Sequence, residues 1–123
     1  MTNAVSWFEI PALDFERAKK FYAELLQLEI TVVPMPEGEY AVFPMDNEAP
    51  GASGAIMKME GAVPSTDGPS IYFNGGEDLS VPLARVEPAG GKIIIPKTSI
   101  GENGFFAQFL DTEGNRLAFH SMK

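Results

Sequence analysis

The stretch that decides the fold is residues 4–26, which read AVSWFEIPALDFERAKKFYAELL. Residues 4–10 are mostly strand-forming types, and Pro11 closes that segment. Asp14 then supplies a helix N-cap, and the apolar side chains after it recur at the spacing of one helical face. Those side chains are Ala18, Phe21, Tyr22, Leu25 and Leu26. The stretch therefore predicts a β-strand followed by an amphipathic α-helix.

Three short strands are expected after this helix. Residues 30–34 and 40–45 flank the turn-forming tripeptide Pro-Glu-Gly at 36–38, so we expect them to form a hairpin. Residues 54–60 are the third strand. The segment 61–68, which contains proline, serine, threonine and aspartate, is the expected linker.

The same order of elements returns after the linker. Residues 70–74 predict a strand, and Leu79, Leu83 and Val86 lie on one side of a short helix that follows it. Three more strands are expected at 92–96, 105–110 and 116–120, the last two joined by the hairpin turn 111–115. The result is an internal repeat of roughly sixty residues.

The repeat predicts the architecture. One helix covers only one face of a four-stranded sheet, and a second copy of the unit is the simplest way to bury more of it. We therefore expect an α+β fold, a single domain over residues 1–123 made of two βαβββ modules at about 1–62 and 68–123. The two modules are expected to form an open half-barrel with helices outside and a cavity inside.

Composition excludes several classes of function. The 123 residues suit one domain, and the net charge of −8 argues against nucleic acid and anionic membrane surfaces. There is no cysteine, which excludes disulfides and thiolate metal sites. Neither a long apolar run nor a basic start typical of a signal peptide is found, so a cytoplasmic protein is expected.

Alternation along three strands identifies candidate site residues. Phe8 shares a strand face with Ile10, and the opposite face carries polar and aromatic side chains. The strands at 70–74 and 116–120 divide in the same way. If the apolar faces pack under the helices, the other faces line a small-molecule pocket. Its expected lining residues are Trp7, Glu9, Ser70, Tyr72, Asn74, Arg116 and His120.

Three segments resemble one known superfamily. Residues 8–22 resemble the opening of the vicinal oxygen chelate proteins, residues 83–92 resemble their second helix and turn, and residues 109–116 resemble their last hairpin. That superfamily includes glyoxalase I, bleomycin-resistance proteins, fosfomycin-resistance enzymes and extradiol dioxygenases. The resemblance covers nearly the whole chain and implies the same two-module fold, a small-molecule ligand and a homodimer.

The metal site of such enzymes is expected to be missing. The resemblance puts the first ligand position at Trp7, the last at Ala118, and another near residues 70–72. Tryptophan and alanine do not bind metals, so we expect no metal cofactor. Glu9 and His120 are chemically competent ligands for an unconventional divalent site, but a catalytic zinc usually has three protein ligands.

Two classes of function follow. In a lyase or isomerase without a metal, Glu9 acts as general acid or base assisted by His120, Trp7 stacks on the substrate, and Tyr72 and Asn74 hydrogen-bond it. The alternative is a non-catalytic binding protein of the antibiotic-resistance type, whose ligand the charge of −8 predicts to be cationic or neutral.

Other interpretations of the chain and of these residues remain open from the sequence. A glyoxalase or dioxygenase with unconventional metal ligands is a third alternative. Glu9 and Arg116 are also compatible with a simple ion pair between strands. His120 lies near the end of the chain, where side chains are often exposed. The loop 101–104 is either a lid or an ordinary hairpin connection.

Overall fold

A computed structural model describes residues 4–46 and 48–123 of the chain. The described residues form eight β-strands: β1 (Trp7–Pro11), β2 (Thr31–Val33), β3 (Glu39–Val42), β4 (Ser53–Lys58), β5 (Tyr72–Asn74), β6 (Lys92–Ser99), β7 (Phe105–Leu110) and β8 (Arg116–Ser121). They also form two α-helices, α1 (Phe15–Leu26) and α2 (Ser80–Leu83), and a 3₁₀ turn at Gly101–Asn103.

The strands form two open four-stranded sheets with the same topology. The first sheet has the order β1-β4-β3-β2 and the second has the order β5-β8-β7-β6. Strand β1 pairs in parallel with β4, and β5 pairs in parallel with β8. All the other neighbouring strands are antiparallel. This confirms the α+β fold and its two βαβββ units. The segment 61–71 between them contains no helix or strand.

Helix α1 begins where the sequence predicts. The Asp14 carboxylate accepts a hydrogen bond of 3.1 Å from the backbone N–H of Arg17, and the helix ends at Gln27 in the left-handed conformation. Most of the predicted apolar face is buried, and Leu26 is half-buried. The buried residues of the helix are Phe15, Ala18, Phe21, Tyr22 and Leu25.

Removing this N-cap is expected to destabilise the protein moderately. Asp14→Ala leaves the Arg17 N–H in the first turn of α1 without its side-chain acceptor, so we expect the free energy of unfolding to fall by about 1 kcal/mol. Urea denaturation measures this. The matched control is Asp67→Ala. It also removes an exposed aspartate, but one that lies in the segment connecting the two halves. Equal effects of the two substitutions would contradict the assigned cap.

Helix α1 packs against side chains from both sheets. The ring of Tyr22 lies 5.9 Å from that of Phe43, which follows β3, and 6.0 Å from that of Phe73 in β5. Phe21 lies 6.3 Å from Phe109 in β7. The helix-facing sides of the two sheets thus share one hydrophobic core.

Two further segments differ from or refine the prediction. Strand β6 continues past Pro96 to Ser99, with register shifts against β7. This is possible because β6 is the edge of its sheet, where proline needs no partner for the N–H it lacks. The segment 101–104 is a hairpin connection, in which Ile100 N–H donates to the Gly104 carbonyl. No helix of the described chain is long and apolar enough to cross a membrane.

Candidate functional site

The outer face of the first sheet carries a chain of three hydrogen-bonded side chains. Strand alternation in β1 turns Phe8 and Ile10 toward the core and turns Trp7 and Glu9 away from it. Tyr40 of β3 reaches the same group. Trp7 Nε1–H donates to the Tyr40 oxygen at 2.8 Å, and Tyr40 O–H donates to Glu9 Oε2 at 2.7 Å. Trp7, Tyr40 and Glu9 therefore act as one unit, which we call the Trp7–Tyr40–Glu9 relay.

Within the relay, Tyr40 is neutral and Glu9 is exposed to solvent. Burial raises the pKa of Tyr40, the hydrogen bond to Glu9 raises it further, and the bond from Trp7 opposes them. Tyr40 is therefore protonated at neutral pH, and its O–H donates a hydrogen bond to the Glu9 carboxylate. Glu9 itself is exposed. Ala55 of β4 is fully buried and pairs with Glu9 of β1 on one side and Val42 of β3 on the other. The relay therefore lies across three neighbouring strands of the sheet.

The second sheet carries the other predicted residues on its outer face. Arg116 Nη2–H donates to Ser70 Oγ at 3.0 Å, while Arg116 Nε is buried without a hydrogen-bond partner. Tyr72 is 53% exposed and lies opposite Ala118 in the parallel β5–β8 pair. Tyr72 and Arg116 therefore lie on the neighbouring strands β5 and β8, whereas Ser70 precedes β5, which begins at Tyr72 rather than at the predicted residue 70.

Asn74 and His120 are opposite each other in the same strand pair. The Asn74 side chain accepts a hydrogen bond from the Gly76 N–H at 2.8 Å. His120 Nε2 lies 2.7 Å from the carbonyl oxygen of Asn103 in the 3₁₀ turn. His120 is therefore held against its own sheet.

Glu9 and His120 form no hydrogen bond or ion pair with each other among the described residues. Glu9 belongs to the first sheet and bonds to Tyr40, whereas His120 belongs to the second sheet and bonds to Asn103. The alternative ion pair of Glu9 with Arg116 is not found among residues 4–46 and 48–123, where Arg116 instead bonds to Ser70. Of the predicted residues, the geometry groups Trp7 with Glu9, and separately those of the second sheet.

A cleft of about 720 Å³ opens beside Trp7, between the two halves of the chain. Its walls come from the β3–β4 connection, from the end of α1 and from the start of the second half. Most of the lining residues are apolar or aromatic, but polar and apolar atoms contribute almost equally to the exposed surface of the walls. The lining residues that carry aromatic or large apolar side chains are Trp7, Phe8, Leu26, Leu28, Phe43, Met45 and Phe73. Asn74 also lines the cleft, so Trp7 and Asn74 are the two predicted site residues found there.

The cleft lies at the β3–β4 connection, and the equivalent connection in the second half of the repeat is the β7–β8 turn. At that turn the space is filled by side chains. There the β7–β8 turn packs onto the start of the first helix. Asn115 Nδ2–H donates to the Pro11 carbonyl at 2.8 Å, and Glu113 Oε1 accepts from the N–H groups of Leu13 and Asp14 at 2.8 and 2.6 Å. The chain's own polar side chains thus close this position.

The corresponding β3–β4 connection of the first half is longer and leaves space. It faces Phe73, Asn74 and Gly76 at the start of the second half, and these residues line the cleft. The repeat therefore shows why a cleft exists at one of two equivalent positions. No local signal in the sequence indicated that Asp46 and residues 49–51 line a cleft.

The side chains present do not fit the metal site that the resemblance implies. Trp7 and Ala118 have no metal-binding atom, and Glu9 and His120 lie on different sheets. Within residues 4–46 and 48–123, no three His, Cys, Asp or Glu side chains are grouped closely enough to hold an ion. No chemical step is therefore assigned to a metal.

Comparisons with known proteins agree with the fold. A family model described as Glyoxalase/Bleomycin resistance protein/Dioxygenase superfamily matches residues 4–119. A glyoxylase-like domain-containing protein of Didymella fabae is 31% identical over 118 residues, which cover 93% of this chain and 90% of that protein.

Two solved structures from Streptomyces sp. CB03234 share the whole architecture. A glyoxalase/bleomycin resistance protein gives a TM-score of 0.72 at 22% identity and covers 96% of this chain and 100% of that one. TnmS3, described as an antibiotic binding protein, gives a TM-score of 0.66 at 23% identity over 98% of this chain and 97% of that one. At these identities the likeness shows the fold alone. Together with the family model and the fungal relative, it confirms the resemblance: the chain belongs to the glyoxalase/bleomycin resistance protein/dioxygenase superfamily.

Proposed function

We propose that this chain binds a small organic molecule in the cleft beside Trp7, and that it does so without a metal. The observation that carries the proposal is the cleft itself, which has aromatic walls and stays open where the equivalent position of the repeat is filled. Apolar clefts with a few polar groups at one side are typical of small-molecule sites. The description of TnmS3 as an antibiotic binding protein supports binding as the function class.

A second candidate is catalysis by Glu9, as a lyase or isomerase. The specific observation in its favour is that Tyr40 holds the Glu9 carboxylate in one orientation, as a general base requires. For a ligand that is converted, Glu9→Gln should abolish turnover and leave binding in place. A pure binding protein gives no turnover in either form.

We also propose a cytoplasmic homodimer. The outer face of the second sheet carries the aromatic side chains of Tyr72, which is exposed, and Phe106, which is half-buried, and a second copy would cover them. Sedimentation equilibrium measures the mass directly. A monomer at high protein concentration would overturn this part of the proposal without affecting ligand binding in the cleft.

The binding proposal predicts energy transfer from Trp7 to a ligand in the cleft. Trp7 is the only tryptophan, so its emission reports this site. N-phenyl-1-naphthylamine, a neutral aromatic dye, should bind and accept that emission, with the same affinity in excess EDTA. Met45→Arg places a charge in the apolar wall and should weaken binding by about tenfold.

Met122→Arg is the matched control, because Met122 is similarly exposed, 62% against 58% for Met45, and lies outside the cleft lining. It should change the dye affinity by less than about twofold. Equal effects of the two variants, or no transfer at all, would overturn the proposed site. A dye affinity that EDTA abolishes would overturn its metal independence.

A further inference from the structure

We propose that the ligand carries a protonated amine, which binds the Glu9 carboxylate at the Trp7–Tyr40–Glu9 relay. This inference rests on the proposed binding function and names the chemical class of the ligand. It comes from the direction in which the hydrogen bonds of the relay run.

Every donor in the relay is already used. The single N–H of the Trp7 indole donates to Tyr40, and the single O–H of Tyr40 donates to Glu9. The relay therefore has no donor left for a carboxylate or phosphate on a ligand. The relay can still accept a hydrogen bond at the Glu9 carboxylate. Only Oε2 of that carboxylate accepts one from the described residues, so Oε1 is free.

Glu9 also lacks a cation from the protein. The ion pairs among residues 4–46 and 48–123 join Arg17 to Glu113, Lys19 to Glu16 and Lys97 to Asp78, and none of them involves Glu9. A charged group that is fixed in place and unpaired favours an incoming charge of opposite sign. The chain's net charge of −8 further attracts cations to its surface.

The aromatic members of the relay favour the same class of ligand. The indole of Trp7 and the phenol of Tyr40 present electron-rich ring faces, which attract ammonium groups. Trp7 also lines the cleft, and Glu9, which is outside the cleft lining, follows it by two residues on the same face of β1, about 7 Å along the strand. A ligand that spans this distance places its apolar part in the cleft and its charged group at Glu9. An amine with N–H groups matches the free acceptor better than a quaternary ammonium, which has none.

The test compares benzylamine, which is protonated at neutral pH, with benzyl alcohol, its neutral analogue of similar size. Trp7 emission is titrated with each probe at constant ionic strength. Benzylamine should bind about fivefold more tightly than benzyl alcohol, because a hydrogen-bonded ion pair at an exposed carboxylate contributes up to about 1 kcal/mol. Glu9→Gln should remove that preference and leave the affinity for benzyl alcohol within about twofold.

Tyr40→Phe and Glu39→Gln complete the experiment. Tyr40→Phe removes the hydrogen bond that orients Glu9 and should weaken benzylamine binding by about threefold. Glu39→Gln makes the same charge change one residue from Tyr40, on the other side of β3, and should alter neither probe. Thermal unfolding of each variant checks that it is folded.

The outcomes separate this inference from the proposed function. If both probes bind equally well, or if Glu9→Gln and Glu39→Gln weaken benzylamine alike, the amine specificity is wrong while binding beside Trp7 stands. If neither probe nor the neutral dye alters Trp7 emission, the proposed function fails and the inference fails with it.

Discussion

Replacing Glu113 by alanine is expected to lower the free energy of unfolding by about 3 kcal/mol. The Glu113 side chain is fully buried and its two oxygens accept four hydrogen bonds. The donors are Leu13 N–H and Asp14 N–H at 2.8 and 2.6 Å, Arg17 Nε–H at 2.6 Å and Thr112 O–H at 2.9 Å. The alanine variant leaves two backbone N–H groups at the start of α1 without this acceptor.

The same carboxylate makes stability depend on pH. Burial pushes the pKa of Glu113 upward, but the hydrogen bonds from Arg17, Asp14, Thr112 and Leu13 outweigh it and leave the pKa below its ordinary value. Because the folded pKa is lower than the unfolded one, the carboxylate stabilises the fold above the ordinary glutamate pKa. That stabilisation is lost as the pH falls through the folded pKa.

Urea denaturation at neutral and at acidic pH measures both effects. Glu113→Gln keeps the shape of the side chain but not its charge, so its stability should fall less steeply on acidification than that of the unmodified protein. Glu16→Ala is the control, since the Glu16 side chain is 75% exposed and its pair with Lys19 is worth well under about 1 kcal/mol. A Glu113→Ala loss no larger than that of Glu16→Ala would show that the turn does not hold the helix start.

Local signals located the elements and the faces of the strands, although β5 is only Tyr72–Asn74 and α2 only Ser80–Leu83, shorter than predicted. Asp14 and the spacing of the apolar residues after it located α1, because a helix start depends on side chains a few residues apart. The alternation of Phe8 and Ile10 with Trp7 and Glu9 correctly separated the core side of β1 from its outer side. These features depend on the period of each element, which the sequence contains directly.

Contacts between distant segments could not be predicted in this way. Tyr40 joins Glu9 because β3 pairs with β4 and β4 pairs with β1 in one particular register, and nothing near Tyr40 indicates that register. The hairpin turn that includes Glu113 was identified as a turn, yet its hold on α1 depends on residues about a hundred positions earlier. The cleft is likewise set by packing between the halves.

Phe73→Ala is expected to have the largest effect on stability, a loss of about 4 kcal/mol. Phe73 is the central residue of β5 and is 9% exposed. Its ring contacts five others, with centroid distances of 5.9 to 6.5 Å. These are the rings of Phe8, Tyr22, Phe43, Phe109 and Phe119. They come from both halves of the chain, so a cavity at this position weakens the contact between the two sheets as well as the core itself.

Two comparison variants separate ring packing from simple loss of volume. Phe106→Ala removes the same ring from the outer side of the second sheet, where Phe106 is half-buried opposite His120, and should cost about half as much or less. Phe73→Leu retains most of the apolar volume and should cost between about 1 and 2 kcal/mol. Urea denaturation followed by Trp7 emission gives all three values.

Phe73 also forms part of the cleft wall, which links stability to binding. Phe73→Leu should fold and yet bind N-phenyl-1-naphthylamine more weakly than the unmodified protein, because the dye loses an aromatic contact. Phe106→Ala should leave that affinity unchanged, since Phe106 is not in the cleft wall. If Phe106→Ala destabilised the protein more than Phe73→Ala, the core would not lie between the two sheets, and the cleft between the halves would lose its structural basis.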